Sequence, residues 1–314
     1  MDLIGIDIGG TKVSVCLGDD KGNLVKHQRV ETSSLEGSKK GLPKLVELVK
    51  NVMHDGVEGI GLAVPGPVST KKGMMLTPPN LPRWINVPIV RYFQEHFSCP
   101  IFMDNDANAG ALAEWEFGKT KQGKLLVYLT MSTGMGGGIV LDGKIHQGET
   151  DTAGEVGHFV LDPYGPRCPC GQSGCWEVFC GGANIADRLK TLIKEGAQTK
   201  ILEIAGSIDA VDMKNLAAAA RVGDALALKI WGEFIERLAQ GIGILLMTLN
   251  PDSIVLGTIA AHEKDLVMGP LQEALRRFTW DAPLKHCCIE PSQLGDDLGR
   301  LGALAVAMHG LKSY

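Results

Sequence analysis

His158 stands shortly before the run Cys168-Pro169-Cys170-Gly171-Gln172-Ser173-Gly174-Cys175-Trp176-Glu177. Three thiols and one imidazole this close together, on a chain bent by glycine and proline, make a soft tetrahedral ligand set. That set selects zinc, and a zinc held wholly by protein ligands is structural. Glu155 lies just ahead of the cluster and Glu177 just behind it. A metal on His158, Cys168, Cys170 and Cys175 would therefore fasten two acidic loops together. The competing readings are a disulfide or a group of small buried hydrophobes. No charged-then-apolar signal segment opens the chain, so reduced thiols are expected. Cys16, Cys99, Cys180, Cys287 and Cys288 lie in apolar surroundings and read as core thiols. Structural zinc is the preferred reading.

A second kind of chemistry is written at strand ends. In Asp7-Ile8-Gly9-Gly10-Thr11-Lys12 a carboxylate closes an apolar strand beside a glycine turn. Glycine lets backbone N–H groups approach a phosphate, Thr11 and Lys12 can donate to its oxygens, and Asp7 can hold the hydration shell of Mg²⁺. The Walker pattern needs a helix after the loop, which this sequence lacks, and a Gly-Gly turn between strands is often purely structural. A second Gly/Thr turn, Ser132-Thr133-Gly134-Met135-Gly136-Gly137-Gly138, strengthens the phosphate reading, because two such turns suit a nucleoside triphosphate. Asn105-Asp106-Ala107-Asn108 opens a helix. An Asp there serves as a cap or as the general base for a hydroxyl attacking a γ-phosphoryl group, and the residues alone leave both open. Asn80, framed by Pro78, Pro79 and Pro82, offers a rigidly held amide suited to sugar hydroxyls.

These groups need elements to position them. Leu3 to Ile8, Val13 to Leu17 and Leu24 to Thr32 read as strands, Gly41 to His54 as a helix, Val57 to Val64 as a buried strand, Ile89 to Phe97 as a helix and Ile101 to Met103 as a strand. The grammar restarts with strands at Lys124 to Thr130, Ile139 to Leu141 and Lys144 to His146, the last two joined by an Asp142-Gly143 turn. Helical spacing covers Ala183 to Lys194, Met213 to Val222 and Asp224 to Thr248, and Ser253 to Leu256 is a strand ending at Gly257. Two halves that begin alike point to duplicated α/β domains around a cleft, with the boundary between Ala113 and Lys124 and the last helix, Asp297 to Leu311, returning to the first half. The long helix ending near Met247 reads as core before it reads as interface.

Composition narrows the class. A chain of 314 residues, 45% hydrophobic, builds one large domain or two ordinary ones. Its net charge of −5 argues against a nucleic-acid surface, and no apolar run approaches the roughly twenty residues that span a bilayer. The 40 glycines fall at strand-to-turn junctions, where backbone lines ligands. A cytoplasmic enzyme or small-molecule binder is expected.

Asp7 to Lys12, Asn105 to Asn108, Gly154-Glu155-Val156-Gly157-His158 and the Cys168 to Glu177 run together resemble the ROK family of sugar kinases and sugar-responsive repressors, in the right order and over essentially the whole chain. The resemblance implies the α/β actin-like ATPase fold (ribonuclease H-like), two α/β domains around a cleft: residues 1–118 with 298–314 as the smaller domain and 119–297 as the larger, carrying the zinc site. It implies Asp106 as the base that takes the proton from a hexose 6-hydroxyl. Asn80, Asn105, Glu155, His158 and Glu177, with Asp106, would bind the sugar, and Asp7, Gly9, Gly10, Thr11, Lys12, Thr133, Gly134, Gly136 and Gly257 the nucleotide with Mg²⁺. His158 would put one ring nitrogen on zinc and turn the other to the sugar. A homodimer or homotetramer is implied.

Three positions depart from the family's usual pattern: Ser132-Thr133-Gly134 in place of Gly-Thr-Gly, Thr258 in place of a glycine near the adenosine, and Arg83 in place of a glycine before Trp84. The expected reaction is ATP-dependent phosphorylation of glucose at O6. The alternatives are an N-acetylmannosamine, N-acetylglucosamine or fructose kinase and, from another class, a sugar-sensing repressor. The first strand begins at Leu3, leaving no room before it for a helix-turn-helix.

Overall fold

Alternating apolar residues in the opening stretch pair as antiparallel strands in the computed structural model, which describes residues 1–120 and 123–313. The chain packs as two units, Met1–Lys119 with Gly138–Gly154 and Leu294–Tyr314, and Thr120–Gly137 with Glu155–Gln293. Lys121, Gln122 and Tyr314, which the expected domain ranges include, lie outside the described residues. Residues 138–154 thus pack with the N-terminal unit and not with the segment that follows them.

The first unit holds β1 (Asp2–Ile8), β2 (Lys12–Asp19), β3 (Leu24–Glu31), β4 (Val57–Val64), a two-stranded hairpin of β5 (Val68–Ser69) and β6 (Met74–Met75), and β7 (Ile101–Asn105). Its main sheet runs β3-β2-β1-β4-β7, antiparallel among the first three strands and parallel from β1 through β4 to β7. Helices α1 (Ser38–Val52), α2 (Ile89–Gln94) and α3 (Asp106–Phe117) lie between or after these strands. Ile4, Ile6, Ile8, Val13, Val15 and Leu62 are fully buried in one cluster, and each such side chain contributes about 1.5–3 kcal/mol.

A second sheet runs β10-β9-β8-β11-β12, from β8 (Leu125–Met131), β9 (Met135–Leu141), β10 (Lys144–Ile145), β11 (Ser253–Leu256) and β12 (Cys288–Pro291). It repeats the order of the first: a meander on one side and parallel pairing of β8, β11 and β12 on the other. Asp142 and Gly143 both have positive φ, 48° and 75°, as the tight turn between β9 and β10 requires. Around this sheet the second unit adds α4 (Trp176–Cys180), α5 (Gly182–Lys194), α6 (Ile201–Ala205), α7 (Met213–Arg221), α8 (Ala225–Leu249), α9 (Ile259–His262), α10 (Lys264–Leu275) and α11 (Asp281–His286). The long α8 buries Ile230, Trp231, Phe234, Leu238, Ile242 and Leu246, one face of a helix in contact with core. Among the described residues no helix is long and apolar enough to cross a membrane.

The last helix, α12 (Leu298–Ser313), is buried from Leu301 to Met308 within the first unit. At its far end His309 and Lys312 clamp Glu116 of α3, at 2.7 and 2.9 Å. The hydrogen bond from His309, then that from Lys312, pulls the Glu116 carboxyl down to about 2. A depressed carboxyl stabilises the fold above its unfolded value of 4.5 and loses that contribution as pH falls toward 2. Glu116→Gln is expected to cost about 1–2 kcal/mol at pH 7, allowing for solvent screening. Thermal melts of the two proteins should converge near pH 2; an equal gap at both pH values would show that the pair is not electrostatic.

Candidate active site and metal centre

In the first unit the expected site residues gather at one end of the sheet. Asp7 pairs with Ala63 of β4, and Ala63 with Asp104 of β7. The ends of β1 and β7 are thus two strand spacings apart, about 10 Å, at the carboxyl edge of the parallel strands where α/β sheets bind ligands. Between β1 and β2 the chain turns at Gly9, whose N–H donates to the Lys12 carbonyl at 2.9 Å. The Thr32 hydroxyl holds the Gly9 carbonyl at 2.7 Å. Gly10 and Thr11 are exposed, so their backbone is open to a ligand. Burial around Asp7 raises its carboxyl to about 6, against the pull of Lys12 and Arg300. Asn80 is an exposed neighbour of this turn: a Cβ on Gly10 would lie 3.2 Å from that of Asn80. Trp84, buried to 2% exposure, anchors the loop that carries it.

The start of α3 shows which residue caps the helix. The cap is Asn105, whose side-chain oxygen accepts from the N–H groups of Ala107 at 2.8 Å and Asn108 at 3.4 Å. Asp106 is the first helical residue and is exposed, with one carboxylate oxygen accepting from Ala107 N–H at 2.9 Å. The Asn105 side-chain oxygen is thus engaged in the cap.

Asp104 was not singled out by the sequence reading and proves central to this corner. It is buried to 4% exposure. It accepts from Asn105 N–H at 2.7 Å, Asn108 Nδ2 at 2.8 Å and Gln147 Nε2 at 2.7 Å. Desolvation raises its carboxyl despite these bonds. The available signal was the Asp104/Asn108 spacing across a strand-helix junction; Gln147, far along the chain, gave none.

In the second unit Glu155, His158, Glu177 and the turn after β8 come together. Ser132 N–H donates to the Gly134 carbonyl at 3.0 Å, and the first N–H groups of α5, at Gly182 and Ala183, donate to the Ser132 and Thr133 carbonyls at 2.7 and 3.0 Å. Glu177 accepts from Met135 N–H at 2.9 Å through Oε2. A side chain on Gly134 would put its Cβ 2.5 Å from that same oxygen, so Glu177 would have to give up this position to admit one. One Glu177 oxygen thus braces the turn. Burial raises the Glu155 carboxyl, Glu177 adds to the rise and His158 opposes it. Gly136 is half-buried beyond the turn, and Gly257 is buried at the end of β11, its N–H bonded to Leu129 O at 2.7 Å.

The ligand atoms of His158, Cys168, Cys170 and Cys175 all lie within 4.8 Å of one another. His158 Nδ1 is 3.8 Å from Cys168 Sγ, and Cys170 Sγ is 3.6 Å from Cys175 Sγ. Thiolates about 2.3 Å from a central zinc stand roughly this far apart, whereas a disulfide needs about 2.05 Å. All the cysteines are free thiols. The donor set and spacing fit a tetrahedral metal, and Nδ1 is the imidazole atom that approaches Cys168 Sγ. Gly174, at φ 68°, makes the closing turn possible, since a Cβ there would lie 1.5 Å from the Asp162 carbonyl.

Residues 3–309 match the ROK family. The chain is 32% identical to the glucokinase of Thermotoga maritima, over 98% of this chain and 97% of that protein. It is 30% identical to the xylose repressor of Caldicellulosiruptor bescii, over 99% of this chain and 79% of the repressor. A ROK family glucokinase from Streptomyces griseus, solved with glucose and AMPPNP, superposes with a TM-score of 0.84 at 29% identity, covering 99% of this chain and 100% of that one. The fold is therefore the actin-like ATPase fold. With two sheets of repeated strand order, glycine turns at the ends of β1 and β8 and a Cys/His cluster in the second unit, the chain belongs to the ROK family.

Proposed function

We propose that this chain, an ATP-dependent sugar kinase, transfers the γ-phosphoryl group of ATP to the 6-hydroxyl of glucose. The observation that carries the reading is Asp106: an exposed carboxylate at the first residue of a helix that another residue caps, at the same sheet edge as the Gly9-Gly10 turn. The helix cap does not depend on this group, whereas an attacking hydroxyl needs one, because phosphoryl transfer depends on orienting the nucleophile and accepting its proton. The similar glucokinases, one of them solved with glucose and an ATP analogue, support both substrates.

In this reading Asp106 takes the proton. Asn80 and the NH₂ group of Asn105, Glu155, His158 Nε2 and the second oxygen of Glu177 recognise ring hydroxyls. Gly9 to Lys12, Thr133, Gly134, Gly136 and Gly257 hold the nucleotide, and Asp7 holds the hydration shell of the Mg²⁺ that accompanies it. Zinc on His158, Cys168, Cys170 and Cys175 would supply rigidity alone, since all four positions are protein ligands. Reduced thiols fit a cytoplasmic enzyme.

A coupled ADP-release assay across hexoses and N-acetylhexosamines, with ATP and Mg²⁺, tests this. Glucose is expected to give the highest kcat/KM. A higher value for an N-acetylhexosamine or fructose would replace the substrate. Sugar binding without turnover on any of them would move the protein to the class of its repressor relatives.

A further inference from the structure

Thr258 holds a backbone conformation that its side chain disfavours. Its φ of 45° and ψ of −108° lie outside the left-handed helical basin, in the region glycine fills in tight turns. A β-branched residue at positive φ is a true outlier, and such strain persists where the surroundings impose it and function uses it.

The surroundings identify the use. Strand β11 runs parallel to β8 with Leu256 opposite Leu129, and the last ladder bond joins Gly257 N–H to Leu129 O at 2.7 Å. Beyond that point β11 leaves the sheet, while β8 continues to Met131. The Thr258 hydroxyl fills the place of the departed strand: it accepts from Met131 N–H at 2.8 Å and donates to the Met131 carbonyl. Positive φ throws the side chain toward Met131, and the Thr258 carbonyl is in turn held by His262 N–H at 2.9 Å. Met131 directly precedes the exposed Ser132 and Thr133 of the second phosphate turn.

We propose that Thr258 is a positioning residue for the nucleotide: a strained backbone aims the hydroxyl that fixes Met131, and Met131 fixes the Ser132-Thr133-Gly134 turn. The inference rests on the kinase reading, in which this turn and Gly257 hold the nucleotide.

Three substitutions separate strain from hydroxyl. Thr258→Gly removes both, Thr258→Val keeps the branched side chain without the hydroxyl, and Thr258→Ser keeps the hydroxyl. Thr258→Gly relieves the strain but leaves the Met131 N–H and carbonyl unpaired, so Tm should change by less than about 3 °C while KM for ATP rises about tenfold through the lost hydrogen bonds. KM for the sugar, and kcat at saturating ATP, should change less than about threefold. Thr258→Val, which loses the bonds and keeps the strain, should match the glycine variant in KM for ATP at a lower Tm, and Thr258→Ser should restore KM to within about threefold of the parent. The same ratios should appear in direct titration with a fluorescent ATP analogue. That titration still decides the role of Thr258 if the parent protein turns over no sugar, a result that would overturn only the kinase reading. A glycine variant with unchanged nucleotide affinity, or a serine variant as weak as the glycine one, would overturn the proposal.

Discussion

Asp106→Asn is expected to lower kcat by about 10²–10⁴ while leaving KM for the sugar within about threefold. The substitution keeps the shape of the side chain, an oxygen for Ala107 N–H and a hydrogen-bonding partner for a sugar hydroxyl. It removes the capacity to accept a proton. Folding should hardly notice, because the cap of α3 is Asn105, with bonds of 2.8 and 3.4 Å to Ala107 and Asn108. The helix loses only the favourable charge in its first turn, about 0.3–1 kcal/mol. The experiment therefore separates chemistry from stability within one variant, by steady-state kinetics beside a thermal melt. Near-normal turnover would remove Asp106 from the role of base. A fall in turnover matched by a large fall in Tm would assign it to the fold.

The residues that make this prediction sharp were legible to different degrees. The strands ending at Ile8 and Leu256 are readable because apolar runs closed by glycine are local signals, and Val57–Val64 and Ser253–Leu256 appear with the bounds the pattern gives. The Cys/His cluster was readable because its ligands lie close in sequence. Three features were not. Which of Asn105 and Asp106 caps α3 depends on where β7 ends, and the strand runs to Asn105, past the expected Met103. Helix α10 went unread because Pro270 lies inside it and its apolar face is weak, and β12 because it has only 4 residues and ends in Pro291. Most consequential, Glu177 and the Met135 N–H meet across a sequence gap that no periodicity spans. The resemblance implies Glu177 as a sugar ligand; the fold also gives it a bond to the turn after β8.

That bond sets the expected result of removing the metal. Cys175 is fully buried and stands two residues before Glu177, so the cluster fixes where Glu177 begins and hence where it meets Met135. Cys170 is the exposed ligand, which makes Cys170→Ser the least disruptive way to open the site. This variant is expected to lose most of the about one zinc per chain that a structural site holds. Its Tm should fall by roughly 5–10 °C, since closing a metal site contributes to folding directly. If, as proposed, Glu177 serves the sugar with one oxygen while its other braces a nucleotide-holding turn after β8, kcat/KM should fall for sugar and for ATP together, each by about 10–100-fold, as when groups that orient a site are lost. A cluster that only stapled the loop would change stability and leave both constants alone. A cluster that served the sugar alone would spare ATP. Metal analysis, a melt and two substrate titrations on Cys170→Ser distinguish these outcomes, and retained affinity for both substrates in a folded, zinc-free protein would separate the metal from catalysis.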